Sequence, residues 1–243
     1  MNSSDLFEVR QATPEDLQRT LSWLKSDAPF DPEGSFLSNA ENIGRHPKDL
    51  TVAVEKSTGE PVGFCAANRE HWNKMDIVSV RKVRRGEGIG QLLTNEYLLE
   101  AARSQSIGVW GECRPPSSKS FWLMMGFTPI PKDLCRGGDV ADRVASTFAG
   151  RNELSSDIVA PIRIELMRPH LGDSPIREFE SVAYQVDGAW ELHDWFACCC
   201  PDGDVVARIS LDGSIVSKDK IKRLADVGGE RNFPFARLRC LWP

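Results

Sequence analysis

Val80-Arg81-Lys82-Val83-Arg84-Arg85-Gly86-Glu87-Gly88-Ile89-Gly90-Gln91-Leu92-Leu93 is the stretch whose reading decides the fold. An apolar, β-branched run, Ile77-Val78-Ser79-Val80, leads into it, and a long amphipathic helical pattern leaves it, so the glycines fall where a strand hands over to a helix. Gly86, Gly88 and Gly90 let the backbone take positive φ and meet a ligand with no Cβ in the way. The first N–H groups of the following helix have no intrahelical acceptor, and the helix dipole favours negative charge there. Arg84 and Arg85 add positive charge in a fork geometry that suits phosphate oxygens. The stretch therefore reads as a cradle for a pyrophosphate. No Gly-Lys-Ser/Thr triplet follows, which argues against a nucleoside-triphosphate loop. A dinucleotide fold would place such a loop after the first strand of its domain, whereas this one begins only at Val80.

The spacing resembles motif A of the GNAT superfamily of acyl-CoA N-acyltransferases: Arg or Gln, two residues, Gly, one residue, Gly or Ala. Arg85, Gly88 and Gly90 match it. A second stretch, Ser117-Ser118-Lys119-Ser120-Phe121-Trp122-Leu123-Met124-Met125-Gly126-Phe127, resembles the later helix of that family, which ends in a Gly-Phe pair before the next strand. The resemblance implies an α+β fold with a mixed, splayed central sheet flanked by helices, covering residues 1–167. The fourth and fifth strands then part into a V that receives the acyl-pantetheine arm. It further implies acetyl-CoA, or another acyl-CoA, as donor substrate. Backbone groups of Val78, Ser79 and Val80 would hold the arm, and Arg85, Gly86, Glu87, Gly88 and Gly90 the pyrophosphate.

The order of elements agrees with that layout. Leu6–Arg10 reads as a first strand, and Thr13-Pro14-Glu15-Asp16 as a helix start with a capping hydroxyl, a proline in the first turn and acidic followers. A weaker helical region runs from about Phe36 to Ile43; Phe30, Phe36 and Leu37 are candidates for an acceptor pocket or for plain core. Residues 50–55 and 61–68 form a hairpin around Thr58-Gly59-Glu60, Lys74–Val80 is the fourth strand, Ile89–Ser104 a helix and Ile107–Gly111 the fifth strand. Phe127–Ile130 and Asp157–Met167 would be the sixth and seventh strands, with a helical stretch, Asp139–Ala149, between them.

A thioester is already activated, so transfer to an amine needs a base for the amine proton and a donor for the oxyanion. Asp76 is the first candidate base, because alternation along a strand puts it on one face with Val78 and Val80. Glu112, at the end of the fifth strand, is the second. The oxyanion donor would be a backbone N–H near Val80. The family's usual tyrosine, which protonates the departing thiolate, is replaced by Trp122, whose indole has no titratable proton. The usual asparagine after the fifth strand is also absent, since Arg114-Pro115-Pro116 stands there; Ser117, Ser118 or water are the substitutes. Two readings stay open: an N-acetyltransferase acting on a primary amine of a small molecule, peptide or protein, or an acyl-CoA sensor or scaffold whose catalytic layer has decayed.

Residues 168–180 read as a linker and 181–243 as a small antiparallel β module outside the resemblance. Asp187-Gly188, Asp202-Gly203 and Asp212-Gly213 mark its hairpins, with a basic helix at Lys218–Ala225 and a last strand from Phe233. A module of this size scarcely buries a core alone, so it should dock on the transferase or serve a homodimer. Cys198-Cys199-Cys200 invites a metal reading, but neighbouring strand residues point to opposite faces; small buried thiols are the plainer reading and no metal is expected. Seven cysteines without a scaffold spacing read as reduced thiols. With no export signal or membrane-length apolar run, the expected location is the cytoplasm. The net charge of -5 argues against a nucleic-acid partner.

Overall fold

The computed structural model describes residues 3–31, 43, 47–67, 74–104, 106, 108–130, 142–147, 159–186, 189–192, 196–197, 205–220, 225–227 and 235–238. The chain divides into two units, Met1–Gly111 and Glu112–Pro243, so the division falls inside the region expected to be one domain. Among the described residues no helix is long and apolar enough to cross a membrane. The helical region expected around residues 36–43 and the cysteine triplet lie outside the described residues, apart from the buried Ile43.

In the first unit a short helix, α1 (Ser3–Leu6), precedes strand β1 (Phe7–Gln11). Helix α2 (Pro14–Asp27) follows, then β2 (Leu50–Glu55), β3 (Pro61–Ala67), β4 (Met75–Val80) and α3 (Ile89–Arg103). The strands form an antiparallel sheet in the order β1-β2-β3-β4. Why α2 starts where it does is local chemistry. Thr13 accepts from the Asp16 amide, and the Asp16 carboxylate accepts from the Thr13 amide at 2.8 Å, a reciprocal capping box with Pro14 just inside. Arg10 of β1 clamps the same carboxylate at 2.5 and 3.1 Å, tying strand to helix.

Both faces of this sheet are covered. On one, Trp23 and Leu24 of α2 pack with Leu50, Val52, Val54, Phe64, Ala66 and Ile77. On the other lie the buried side chains Ile89, Leu93, Tyr97 and Ala101 of α3. Gly63 explains how close α3 comes: a Cβ there would stand 3.0 Å from Ile89 Cγ2 and 3.2 Å from Leu93 Cδ1. A bare glycine in β3 thus lets the first turns of α3 lie down on the sheet. Every residue of β3 is buried as a result.

Strand β5 (Gly108–Glu112) runs to the division between the units. In the second unit, helix α4 (Lys119–Met124) leads to β6 (Thr128–Ile130), which pairs antiparallel with β7 (Arg143–Thr147). The helix expected at 139–149 is therefore corrected: pairing with β6 makes 143–147 a strand, and the β-branched Val144 and Thr147 suit it. Strand β8 (Val159–Met167), expected as the seventh strand of the transferase domain, pairs with β9 (Arg177–Val186) and β12 (Val206–Leu211). With β10 (Ala189–Leu192) and β13 (Ser214–Lys220) they make an antiparallel sheet in the order β10-β9-β8-β12-β13. The expected linker thus shrinks, since β9 begins at Arg177. The helix expected at 218–225 is corrected too. Asp212 and Gly213, at φ 48° and 79°, make the tight turn that returns the chain alongside β12, so Lys218, Asp219 and Lys220 are drawn into the ladder. Strands β11 (Phe196–Ala197), β14 (Ala225–Val227) and β15 (Phe235–Leu238) form a further sheet, larger in all than the expected module of three or four strands.

Candidate functional site

The cradle forms where β4 ends. A 3-10 turn at Lys82–Arg84 leads through Gly86 (φ 89°) and Gly88 (φ 79°) into α3, with Gly88 as its N-cap. Both glycines occupy left-handed backbone that residues with a Cβ rarely adopt. A Cβ on Gly86 would meet nothing within 4 Å, so that side of the loop opens outward. A Cβ on Gly88 would come within 2.6 Å of Ser3 Oγ, because α1 lies against the loop and Ser3 donates to the Glu87 carbonyl at 2.7 Å. This bracing by the N-terminal helix had no signal in the sequence beyond the hydroxyl of Ser3 itself.

The two arginines separate in role. Arg84, expected to face phosphate, is spent on two carboxylates: it donates to Glu55 at 2.9 Å and to Glu87 at 2.9, 3.1 and 3.0 Å. It also lies over the Phe7 ring at 5.3 Å. These bonds, to Glu87 first and then to Glu55, hold the guanidinium still more firmly in its charged form. Hydrogen bonds from Thr58 and then Arg84 lower the Glu55 carboxyl in turn. Arg84 is a strut that fixes the loop to the ends of β1 and β2. Arg85 is the more exposed of the two, donating to the Val80 carbonyl at 3.1 Å and to the Asp31 carboxylate.

Strand β4 is the last strand of its sheet, and its outer edge is where an extended ligand would pair. The Arg81 amide donates to the Val62 carbonyl at 2.9 Å, and the Ser79 carbonyl lies against Gly63, so residues 79 and 81 turn their peptide groups toward β3. By alternation Val78 and Val80 turn theirs to the outer edge. Of the three β4 residues expected to hold the pantetheine arm, Ser79 is thus the one whose peptide groups are committed to the sheet. Near its start, β4 meets β5 through one isolated parallel bridge, Lys74 to Trp110. Tyr97 of α3 donates to the Lys74 carbonyl at 3.1 Å, and the Lys74 ammonium lies 5.3 Å over the Trp110 ring, which pins the junction.

Asp76 sits two residues past that bridge. The ladder pairs Ala66 with Ile77 but Ala67 with Met75, so Asp76 is the extra residue of a β-bulge. The simple alternation from Asp76 to Val78 and Val80 is therefore interrupted, and the bulge, not parity, sets where the carboxylate points. It is 38% exposed and paired with Lys74 at 2.7 Å. Bulges can re-aim side chains beside active sites. Glu112 stands between Arg114 at 3.2 Å and Arg143 at 3.5 Å. Ser117 is exposed in the 3-10 turn before α4. The Cys113 thiol is pushed up by burial and then by Asp142, which disfavours its thiolate.

Trp122 is buried. Its ring meets Phe121 at 5.0 Å and Phe127 at 5.2 Å, both edge-on. The Phe127 amide donates to the Trp122 carbonyl and the Gly126 amide to the Leu123 carbonyl, each at 3.0 Å, with Gly126 at φ 82°. That is a Schellman stop, and its apolar contact is the Trp122–Phe127 pair. Among the described residues no group of three or more His, Cys, Asp or Glu side chains could hold a metal ion.

Residues 11–127 match the family model described as the acetyltransferase (GNAT) family. Among solved structures the chain is similar to an acetyltransferase of the GNAT family from Staphylococcus aureus Mu50, with 13% identity, 58% of this chain and 98% of that chain covered, and a TM-score of 0.43. It is similar to N-acetylglutamate synthase from Neisseria gonorrhoeae, solved with coenzyme A and N-acetyl-glutamate, at 13% identity, 58% and 35% coverage and a TM-score of 0.46. It is similar also to the PaiA N-acetyltransferase from Thermoplasma acidophilum, solved with coenzyme A, at 13% identity, 58% and 99% coverage and a TM-score of 0.42. No curated protein matches the chain. The chain thus carries an acetyltransferase domain of the GNAT family over residues 11–127, and its C-terminal region lies outside that match.

Proposed function

We propose that this domain transfers an acetyl group from acetyl-CoA to a primary amine. The observation that carries the reading is the cradle: left-handed glycines at 86 and 88, the amino end of α3, and the outer edge of β4 lie at one strand-to-helix junction. Such a junction offers backbone donors to a pyrophosphate and an edge to the amide-bearing pantetheine arm. Gly86, Glu87, Gly88 and Gly90 supply the loop, Arg85 the charge, and Val78 and Val80 the edge groups. In the step itself the amine nitrogen attacks the thioester carbonyl carbon. The resulting oxyanion collapses, the C–S bond breaks, and coenzyme A leaves as a thiolate that takes up a proton. Asp76 is the base we assign first, acting directly or through a water. Its place on the bulge and its partial exposure leave it open to solvent and to an incoming amine. Glu112 is the second candidate, but its position between two guanidiniums suits an anchor better than a proton acceptor. Ser117 is a further polar group for the leaving thiolate.

One observation favours the other reading, an acyl-CoA sensor or scaffold. Trp122, at the family's tyrosine position, is packed into an aromatic cluster and offers no proton to the thiolate. Calorimetric titration with acetyl-CoA and coenzyme A, on the wild type and on Gly86→Asp, tests the cradle. The aspartate strains the left-handed backbone at residue 86 and its charge repels phosphate, so affinity should fall at least about tenfold, a loss of roughly 1.4 kcal/mol. A thiol-release assay over a panel of amines then tests catalysis, with Asp76→Asn expected to lower kcat by about 10²-fold or more. A protein that binds acetyl-CoA and releases no thiol with any amine is the sensor. One that binds neither ligand defeats the cradle.

A further inference from the structure

The last residue of α2 and the tail that follows it are stitched to the cradle by basic side chains. Arg81 pairs with Asp27 at 3.3 Å, Lys82 donates to the Phe30 carbonyl, and Arg85 donates to the Asp31 carboxylate. The amides of Phe30 and Asp31 both return to the Asp27 carbonyl at 2.9 Å, so residues 28–31 form a compact tail on the end of the helix. Asp31 is a mere 9% exposed, whereas the Phe30 side chain beside it is exposed. A buried carboxylate needs a partner, and the partner here is the arginine that the donor reading gives to the pyrophosphate.

We propose that Asp31 is a resident anion of the donor site, which the pyrophosphate of the incoming acyl-CoA displaces from Arg85. This rests on the donor reading above and goes beyond it. A guanidinium engaged by a carboxylate has part of its charge compensated and part of its donor fork occupied, so a second anion competes for it. Once Arg85 turns to the pyrophosphate, Asp31 is a nearly buried charge without its counter-ion, and the tail 28–31 loses one of its two tethers. Donor occupancy and the position of the tail are therefore coupled, and by linkage the coupling runs both ways. Asp31 sets donor affinity downward, and binding the donor loosens the segment that follows α2.

The test compares coenzyme A affinity by calorimetry in the wild type, Asp31→Asn and Asp27→Asn. Removing the Asp31 charge should tighten binding about three- to fivefold, the scale of a partly exposed ion pair. Asp27→Asn, which removes a similar charge from Arg81 instead, should leave affinity unchanged. Chymotryptic cleavage after Phe30 supplies a second readout: it should speed up when coenzyme A is added to the wild type, and should already be fast in unliganded Asp31→Asn. Unchanged or weaker binding by Asp31→Asn overturns the proposal, since Asp31 would then be idle or would aim Arg85 at the ligand. Equal tightening in both variants also overturns it, because the effect would be overall charge and not this pair. If the wild type itself binds no coenzyme A while cleavage in Asp31→Asn is accelerated, the donor reading fails and the tether alone stands.

Discussion

The sheet beside the cradle and the five-stranded sheet of the second unit solve the same problem differently. In the first, β3 is buried along its whole length because α2 covers one face and α3 the other. In the second, Ala207 and Ile209 of β12 are buried while Arg208 and Ser210, which alternate with them, are half-buried, so along this strand one face is apolar and the other polar. A sheet covered on both faces can hold the amino end of a helix against a strand end, the junction that the proposed donor site uses. A sheet with one polar face spends that face on cross-strand charge: Arg208 clamps Glu165 at 2.5 and 2.8 Å, and Arg163 reaches Glu178. The second offers surface.

The contrast breaks most visibly at Gly63. Gly63→Val adds a Cβ 3.0 Å from Ile89, 3.1 Å from the Ser79 carbonyl and 3.2 Å from Leu93, and backbone cannot yield as a side chain can. Unfolding in urea should show a loss of about 3 kcal/mol, and coenzyme A affinity should drop with it because α3 is lifted off the sheet. A variant as stable as the wild type would mean that the helix is not seated by that glycine.

Next in size is Asp16, where helix and strand are joined. Burial raises this carboxyl, but the hydrogen bonds from Arg10 and Thr13 outweigh it and hold it below its usual 3.8. A group lowered on folding contributes its stability above the unfolded value and loses it as pH falls through the folded one. Asp16→Asn should therefore cost about 2 kcal/mol at pH 7. The gap to the wild type should close as the pH is taken below 3.8. A gap that stays constant with pH would show that shape, not charge, matters at that corner.

The smallest effect belongs to the polar face of the second sheet. The Glu165 carboxyl is lowered chiefly by the hydrogen bond from Arg208. Glu165→Gln keeps the shape and removes the charge, and should cost about 1 kcal/mol in thermal or urea unfolding. A loss as large as that of Gly63→Val would mean that this sheet, too, depends on a single point.

What could be read from residues alone was local. Thr13-Pro14-Glu15-Asp16 contains its own capping box, and Asp212-Gly213 contains its own turn. Gly126-Phe127 contains its own helix stop, since the residues that form the Schellman bonds are all within one turn. The cradle belongs with them: strand, glycines and helix are contiguous, and their order is enough to recognise the junction. Among the failed expectations were the helices at 139–149 and 218–225. In both, short stretches of acceptable helix propensity were taken into strands by partners elsewhere in the chain, β6 in one case and β12 in the other.

The sequence by itself therefore determined the strand-to-helix cradle, the caps and turns around it, and the absence of a proton donor at Trp122, because each rests on neighbours along the chain. Tertiary structure alone decided which arginine is a strut and which meets Asp31, that Asp76 sits on a bulge, and that Ser3 braces the loop. Those outcomes depend on groups far apart in sequence, whose meeting is set by packing and by which buried charge finds a partner.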